Sequence, residues 1–160
     1  GHHVWGATGM ILGEFIALAE TSIPTFAGLK FTNSDLMAFQ QLRHHANGKF
    51  DVVWGFDEFL MAALALGAKG AVGTTYNFAA PLYQKIIAAV ATGDLAAGRA
   101  EQFRSVKLIL LMQKYGFLGA AKEALRARGV DCGPVRLPNA NIAPAAARAF
   151  RSELEELGVY

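Results

Sequence analysis

The sequence predicts an α/β protein built from parallel βα units, a partial barrel of the (β/α)8 TIM type followed by extra carboxyl-terminal helices. Three observations carry this prediction. Helical and strand-like segments alternate through the first part of the chain with connections of a few residues. The strand-like segments "TFAGLKF", "DVVWGF" and "GAVGTTY" are apolar on both faces, as a parallel sheet covered by helices requires. Beyond them the pattern is helical to the end. A closed barrel of this type takes about 250 residues and eight strands. With 160 residues, and three clear strands or four if "HHVW" is counted, this chain cannot close one alone. The expectation is a single partial-barrel domain over residues 1–160, with βα units to about residue 93 and a helical extension over about 94–160.

Each element has a local reason. "MILGEFIALAE", Met10 to Glu20, has apolar residues at helical spacing and stops before "TSIP". "TFAGLKF" is the first strand, and Asn33, Ser34 and Asp35 then supply cap signals for a helix through about His45, closed at "ANG". "FDVVWGF" is the next strand, followed by a helix from about Glu58 to Leu66 that stops at Gly67. "GAVGTTY" is a further short strand rich in small residues. Pro81 suits the first position of a helix running to about Ala91. After "TGD" a long amphipathic helix spans about Leu95 to Tyr115, closed by Gly116, and a shorter one reaches about Arg128. The loop "GVDCGPVRLPNANIAP" carries three prolines and two glycines, and a last helix covers about Ala145 to Leu157.

Composition narrows the function classes. A hydrophobic content of 53% supports one sizeable core, and nothing in the composition points to disorder. The net charge of +2 comes without a long basic run, so neither nucleic acid nor an anionic membrane surface is an expected partner. Apolar runs break well before the roughly 18 residues of a membrane span. "GHHVWG" lacks the cationic segment and apolar core of a signal peptide. The single cysteine, Cys132, excludes an internal disulfide and a multi-cysteine metal site and fits a reducing cytoplasm. No metal or cofactor is expected.

Chemistry is expected at the carboxyl ends of the strands, where barrel enzymes place catalytic groups. Alternation puts Lys30 and Thr32 on one side of the first strand. Gly55 and Asp57, with Glu58 beside them, end the second strand, and Thr74, Thr75 and Tyr76 end the third. A lysine amine freed of its proton by burial attacks a ketone to form a Schiff base. Each residue also has a plainer explanation. Lys30 is a strand-end lysine whose stem packs while its head reaches water. Asp57 and Glu58 are a helix cap and a first-turn acid. Thr74 and Thr75 are β-formers, Tyr76 is core, and Gly55 and Gly73 are packing points.

The segments "GLKFTNSDL", "WGFDEFLMAALALGAKGAVGTTYNFAAPLYQKI", "GDLAAGRAEQ" and "GPVRLPNANI", in that order, resemble the carboxyl-terminal half of the N-acetylneuraminate lyase family. This is a family of pyruvate-dependent class I aldolases in the dihydrodipicolinate synthase superfamily. The resemblance runs from about Thr8 to the last helix. It implies that Lys30 is the Schiff-base lysine, holding pyruvate as imine or enamine while the bond to N-acetylmannosamine is made or broken. It implies that Thr32, Gly55, Asp57, Glu58 and Thr74 line the sugar pocket, Thr74 standing in for a serine with its hydroxyl kept. "KFT" after "GL", and "GFDE", are typical of the lyase; Ala7 stands where the synthase usually has an arginine.

Two departures set limits. The family's proton-relaying tyrosine, in a pattern like Y-H-I-P-x-x-T-G, aligns with His2, and Trp5 replaces the proline. The family's G-x-x-G-E loop, which holds the pyruvate carboxylate, has no counterpart, since "GMILGE" has the wrong spacing and falls inside a predicted helix. Without that loop, positioning and electrostatic stabilisation would be largely lost. The resemblance thus leaves three readings. The first is a sialic acid aldolase half completed by another copy or a complementing barrel half, with a homo-oligomer expected because an open half barrel exposes strand edges and an apolar face. The second is an inactive fragment that binds a sugar or serves a structural role, and the third an aldolase for another 2-keto-3-deoxy sugar acid.

Overall fold

A run of β-prone residues between two helices can bury only one face if nothing covers the other, and the short strands here do so. The computed structural model describes residues 5–159, the side chains of residues 5–10 and 46 excepted. The chain divides into two compact units, the first ending at Val72 and the second beginning at Gly73.

In the first unit, helix α1 (Trp5–Ser22) leads to strand β1 (Gly28–Phe31), helix α2 (Leu36–His44), strand β2 (Asp51–Trp54) and helix α3 (Leu60–Ala65). Single 3-10 turns over His45–Gly48 and Asp57–Phe59 precede β2 and α3. The strands pair in parallel, with Gly28 opposite Asp51, Lys30 opposite Val53 and Phe31 opposite Trp54. A covering helix between two parallel strands is a βα unit. Helix α2 starts where it does because the Asp35 carboxylate accepts from the Ala38 N–H at 2.9 Å, meeting one of the amides left over at a helix start. Phe31, Phe39 and Trp54 then bury three rings against one another, with centroids 5.0–5.9 Å apart. Each such side chain contributes about 1.5–3 kcal/mol on burial. Gly28 has to be glycine, because a Cβ there would overlap the Asp51 carbonyl oxygen of the neighbouring strand.

The expected third strand contracts to a single bridge. Trp54 N–H donates to the Gly70 carbonyl at 3.0 Å, Val72 N–H donates to the Trp54 carbonyl at 2.8 Å, and Ala71 pairs with Trp54. Only Ala71 and Val72 stand between Gly70 and Gly73, and glycine weakens a strand. "TFAGLKF" likewise loses its first residues to a turn closed by Phe26 N–H on the Ile23 carbonyl. "HHVW" lies outside the described residues apart from Trp5, which opens α1. Asp57 is no cap: Phe56 holds the cap position, and Asp57 is the first residue of the 3-10 turn.

The second unit is helical: α4 (Tyr76–Thr92), α5 (Leu95–Lys114), α6 (Phe117–Ala127) and α7 (Pro144–Glu156). Helix α4 begins earlier than Pro81 alone predicts and kinks at Ala79, which has φ −121° and ψ 28°. Gly93, at φ 76°, ends α4 in the left-handed region, and Asp94 caps α5 through the Ala97 N–H at 3.0 Å. The core gathers Leu82 and Ile86 of α4, Leu108 and Met112 of α5, Ala120 and Ala124 of α6, and Phe150 and Leu154 of α7.

Two polar clamps tie the last helices together. Glu153 accepts from Lys114 Nζ at 2.7 and 2.8 Å and from the Tyr115 hydroxyl at 2.6 Å. The Lys114 bond holds the Glu153 carboxyl below its ordinary pKa, and the Glu153 bond raises that of Tyr115. The other clamp is the buried Glu123, with Arg126 Nη1 at 2.8 Å and Arg151 Nη2 at 2.5 Å. Glu123→Ala strands the Arg151 guanidinium and leaves Arg126 with Asp131 alone, and is expected to cost about 2 kcal/mol, less than a fully buried pair because both arginines stay half-exposed. Urea denaturation checks this; an unshifted midpoint would show that α6 and α7 do not need the clamp.

Candidate active site

Because side chains alternate along β1, burying Phe31 sends Lys30 and Thr32 to the other face, where both are exposed. Lys30 lies opposite Val53 and lines a shallow groove of about 310 Å³ with Ala27, Gly28, Leu29, Asp51 and Val53. These two strands give Lys30 an open face, without the enclosure that a complete barrel would form around it.

Thr32 and Gly55 meet at the carboxyl ends of the strands. Gly55 N–H donates to the Phe31 carbonyl at 2.8 Å, extending the parallel ladder one step beyond β2. A Cβ at Gly55 would run into Thr32 Oγ1 and come within 2.9 Å of the Phe31 carbonyl oxygen. The absence of a side chain at Gly55 therefore gives Thr32 its place. The chain then turns sharply, Trp54 Nε1 donating to the Phe56 carbonyl at 2.5 Å. That turn buries Asp57, 5% exposed, and leaves Glu58 half-buried beside it. Both acids occupy the first turn of the 3-10 segment, where its amide dipoles favour negative charge.

Thr74 belongs to the second unit and immediately precedes the buried Thr75 and helix α4. Its carbonyl accepts from Asn77 N at 3.3 Å and Asn77 Nδ2 at 2.9 Å, so the turn there is pinned from both backbone and side chain. It lines a cleft of about 510 Å³ with Leu118, Lys122, Leu125, Val135 and Arg136. Lys122 Nζ donates to the carbonyls of Cys132 at 3.0 Å and Pro134 at 2.7 Å, anchoring the proline-rich loop over this cleft. In the sequence that segment reads as a proline- and glycine-rich loop and as part of the family resemblance, and neither Lys122 nor Arg136 stands out. The proline spacing around Arg136 was the available signal.

The structure thus brings Thr32 and Gly55 into contact, puts Asp57 and Glu58 on the turn directly after them, and leaves Lys30 on the same strand face as Thr32. Among the described residues no group of His, Cys, Asp and Glu has the makings of a metal site, and no helix is long and apolar enough to cross a membrane.

Known proteins resemble this chain in fold and in sequence. The sequence profile of the Dihydrodipicolinate synthetase family matches residues 6–157. The N-acetylneuraminate lyase of Mus musculus is 36% identical over 142 residues, which are 86% of this chain and 44% of that protein. The solved N-acetylneuraminate lyase (sialic acid aldolase) of Aliivibrio salmonicida superposes with a TM-score of 0.89 at 36% identity, over 92% of this chain and 49% of that one. The N-acetylneuraminate lyase of Fusobacterium nucleatum complexed with pyruvate gives a TM-score of 0.77 at 30% identity, over 91% of this chain and 48% of that one. The chain spans about half the length of the relatives it matches. Its βα units and helices are those of a partial barrel, and the chain belongs to the dihydrodipicolinate synthetase family.

Proposed function

We propose that this chain carries the Schiff-base portion of an N-acetylneuraminate lyase-type aldolase, which reversibly cleaves sialic acid to N-acetylmannosamine and pyruvate. The observation that carries the proposal is Lys30 on the open face of β1, one alternation before the Thr32–Gly55 contact, in a chain 36% identical to a sialic acid aldolase. The Lys30 amine adds to the substrate ketone carbon, water leaves, and the resulting imine takes up the electrons of the carbon–carbon bond as it breaks, while the hydroxyl beyond that bond gives its proton to a base and becomes the aldehyde of N-acetylmannosamine. The enamine of pyruvate then takes up a proton, and water returns the free amine. Thr32 and Thr74 offer hydroxyls to the sugar, Gly55 gives it close access to the backbone, and Asp57 and Glu58 accept from its hydroxyl groups.

In this reading the remaining wall of the barrel comes from outside these residues, from further sequence or from another copy, and the working form is a homo-oligomer. Its place is the cytoplasm, where the exposed Cys132 stays reduced. Borohydride reduction in the presence of pyruvate, followed by peptide mass spectrometry, is expected to leave a carboxyethyl adduct on Lys30. The exposure of Lys30 favours a second reading, a sugar-binding or structural fragment without turnover, and a folded sample with no adduct would replace the first reading with this one. Pyruvate release from a panel of keto acids separates sialic acid from other 2-keto-3-deoxy sugar acids as substrate.

A further inference from the structure

The start of helix α4 is mechanically separate from the rest of that helix. Ala79 has left helical geometry, and Pro81, two residues on, has no N–H to offer the Asn77 carbonyl. The first turn therefore hangs from Thr74, whose carbonyl accepts from Asn77, and from Thr75, whose carbonyl accepts from the N–H groups of Phe78 at 3.2 Å and Ala79 at 2.8 Å. Whatever holds Thr75 therefore bears on this turn and on its neighbour Thr74.

The Thr75 side chain makes no cap bond to the helix it opens. Its hydroxyl, in a fully buried residue, lies 2.5 Å from the phenol oxygen of Tyr83, which sits on the far side of the kink. Ser105, buried on α5, donates to that same phenol oxygen at 3.1 Å. The Tyr76 ring meets the Tyr83 ring edge-on, with centroids 4.3 Å apart. Hydroxyls buried this deeply are costly unless they are hydrogen-bonded, and valine, phenylalanine and alanine would fill the same space without that demand. The hydroxyls bond across the one break in α4, so their effect falls on the segment that the break would otherwise release.

We propose that Tyr83 is a positioning residue: its phenol, braced by Ser105, fixes Thr75 and thereby sets the Thr74 hydroxyl for the sugar end of the substrate. This rests on the assignment of Thr74 to the sugar pocket made above. Tyr83→Phe keeps the ring and removes the bond, and Thr75→Val removes it from the other side.

Three measurements on the full chain, in the form that shows lyase activity, test the proposal. In both variants amide hydrogen exchange of Asn77 to Ala79 is expected to speed up about tenfold, and KM for sialic acid to rise about fivefold to tenfold, the worth of one hydrogen bond. The yield of the pyruvate adduct on Lys30 stays unchanged. In a Thr74→Ala background the Tyr83→Phe effect on KM is expected to disappear, because the two residues act on one contact. Unaltered exchange and KM in Tyr83→Phe overturn the proposal, as does a KM effect that adds in full to that of Thr74→Ala, which would make Tyr83 merely structural. If the wild type cleaves no sialic acid, the sugar-pocket assignment falls and the positioning role with it. Activity in the wild type without a Tyr83 effect sinks this inference alone.

Discussion

Lys30→Met is expected to abolish both the borohydride-trapped pyruvate adduct and lyase turnover, lowering kcat by more than about three orders of magnitude, as loss of a covalent nucleophile does. The fold should tolerate the change, because Lys30 is exposed and makes no contact on which the Phe31, Phe39 and Trp54 cluster depends. Lys30→Arg is the companion variant. It keeps the positive charge, but a guanidinium stays protonated and does not form the imine. Both variants should therefore lose the adduct. An adduct that persists in either one would move the nucleophile to another lysine and undo the proposed function. Retention of the adduct only in the wild type would tie the chemistry to one amine.

Gly55→Ala is expected to damage site and sheet together. The new methyl would run into Thr32 Oγ1 and lie 2.9 Å from the Phe31 carbonyl oxygen, the acceptor of the Gly55 N–H itself. Neither strand end can yield freely, since Phe31 and Trp54 are buried beneath them. Overpacking of this kind costs about 1–3 kcal/mol, which a urea midpoint will register. The displaced Thr32 should also raise KM for the sugar substrate. Adding Thr32→Ala to Gly55→Ala removes the worse of the two clashes, so stability should largely return while KM stays high. If the single variant is as stable as wild type, the strand ends part more easily than their packing implies.

These examples also show which parts of the molecule were legible before folding. Asp35 caps α2 as the signals Asn33, Ser34 and Asp35 predict, and the turn "TGD" separates α4 from α5 as expected, because capping and turns depend on a few adjacent residues. The boundaries of α5, α6 and α7 fall within a residue or so of those expected, for their apolar periodicity is long and unbroken. The third strand is shorter than its pattern predicts. "GAVGTTY" has β-prone residues, but pairing beyond Ala71 depends on what Trp54 offers across the sheet, which local pattern does not contain. The Thr32–Gly55 contact and the Thr75–Tyr83 bond arise from register and from a kink, so no spacing rule announces them. Tyr83 in particular sits at a core position of an apolar helix, where an aromatic ring is expected and its hydroxyl gives no separate signal.

One feature of the sheet bears on handling as well as chemistry. Among the described residues β1 pairs with β2 alone, so its other flank is where a strand completing the barrel in the proposed function would pair, and without that strand it offers a row of backbone donors and acceptors. A foreign strand docking there in register would extend the sheet, and a charge in the middle of an edge strand is what natural proteins use to deter it. Lys30 stands in that position. In the proposed function the catalytic amine would then also act as a gatekeeper against aggregation wherever the neighbouring strand is missing. Replacing it with methionine removes both roles at once, whereas arginine removes one and keeps the other. Of two equally inactive proteins, the arginine variant is the one that should stay in solution at high concentration.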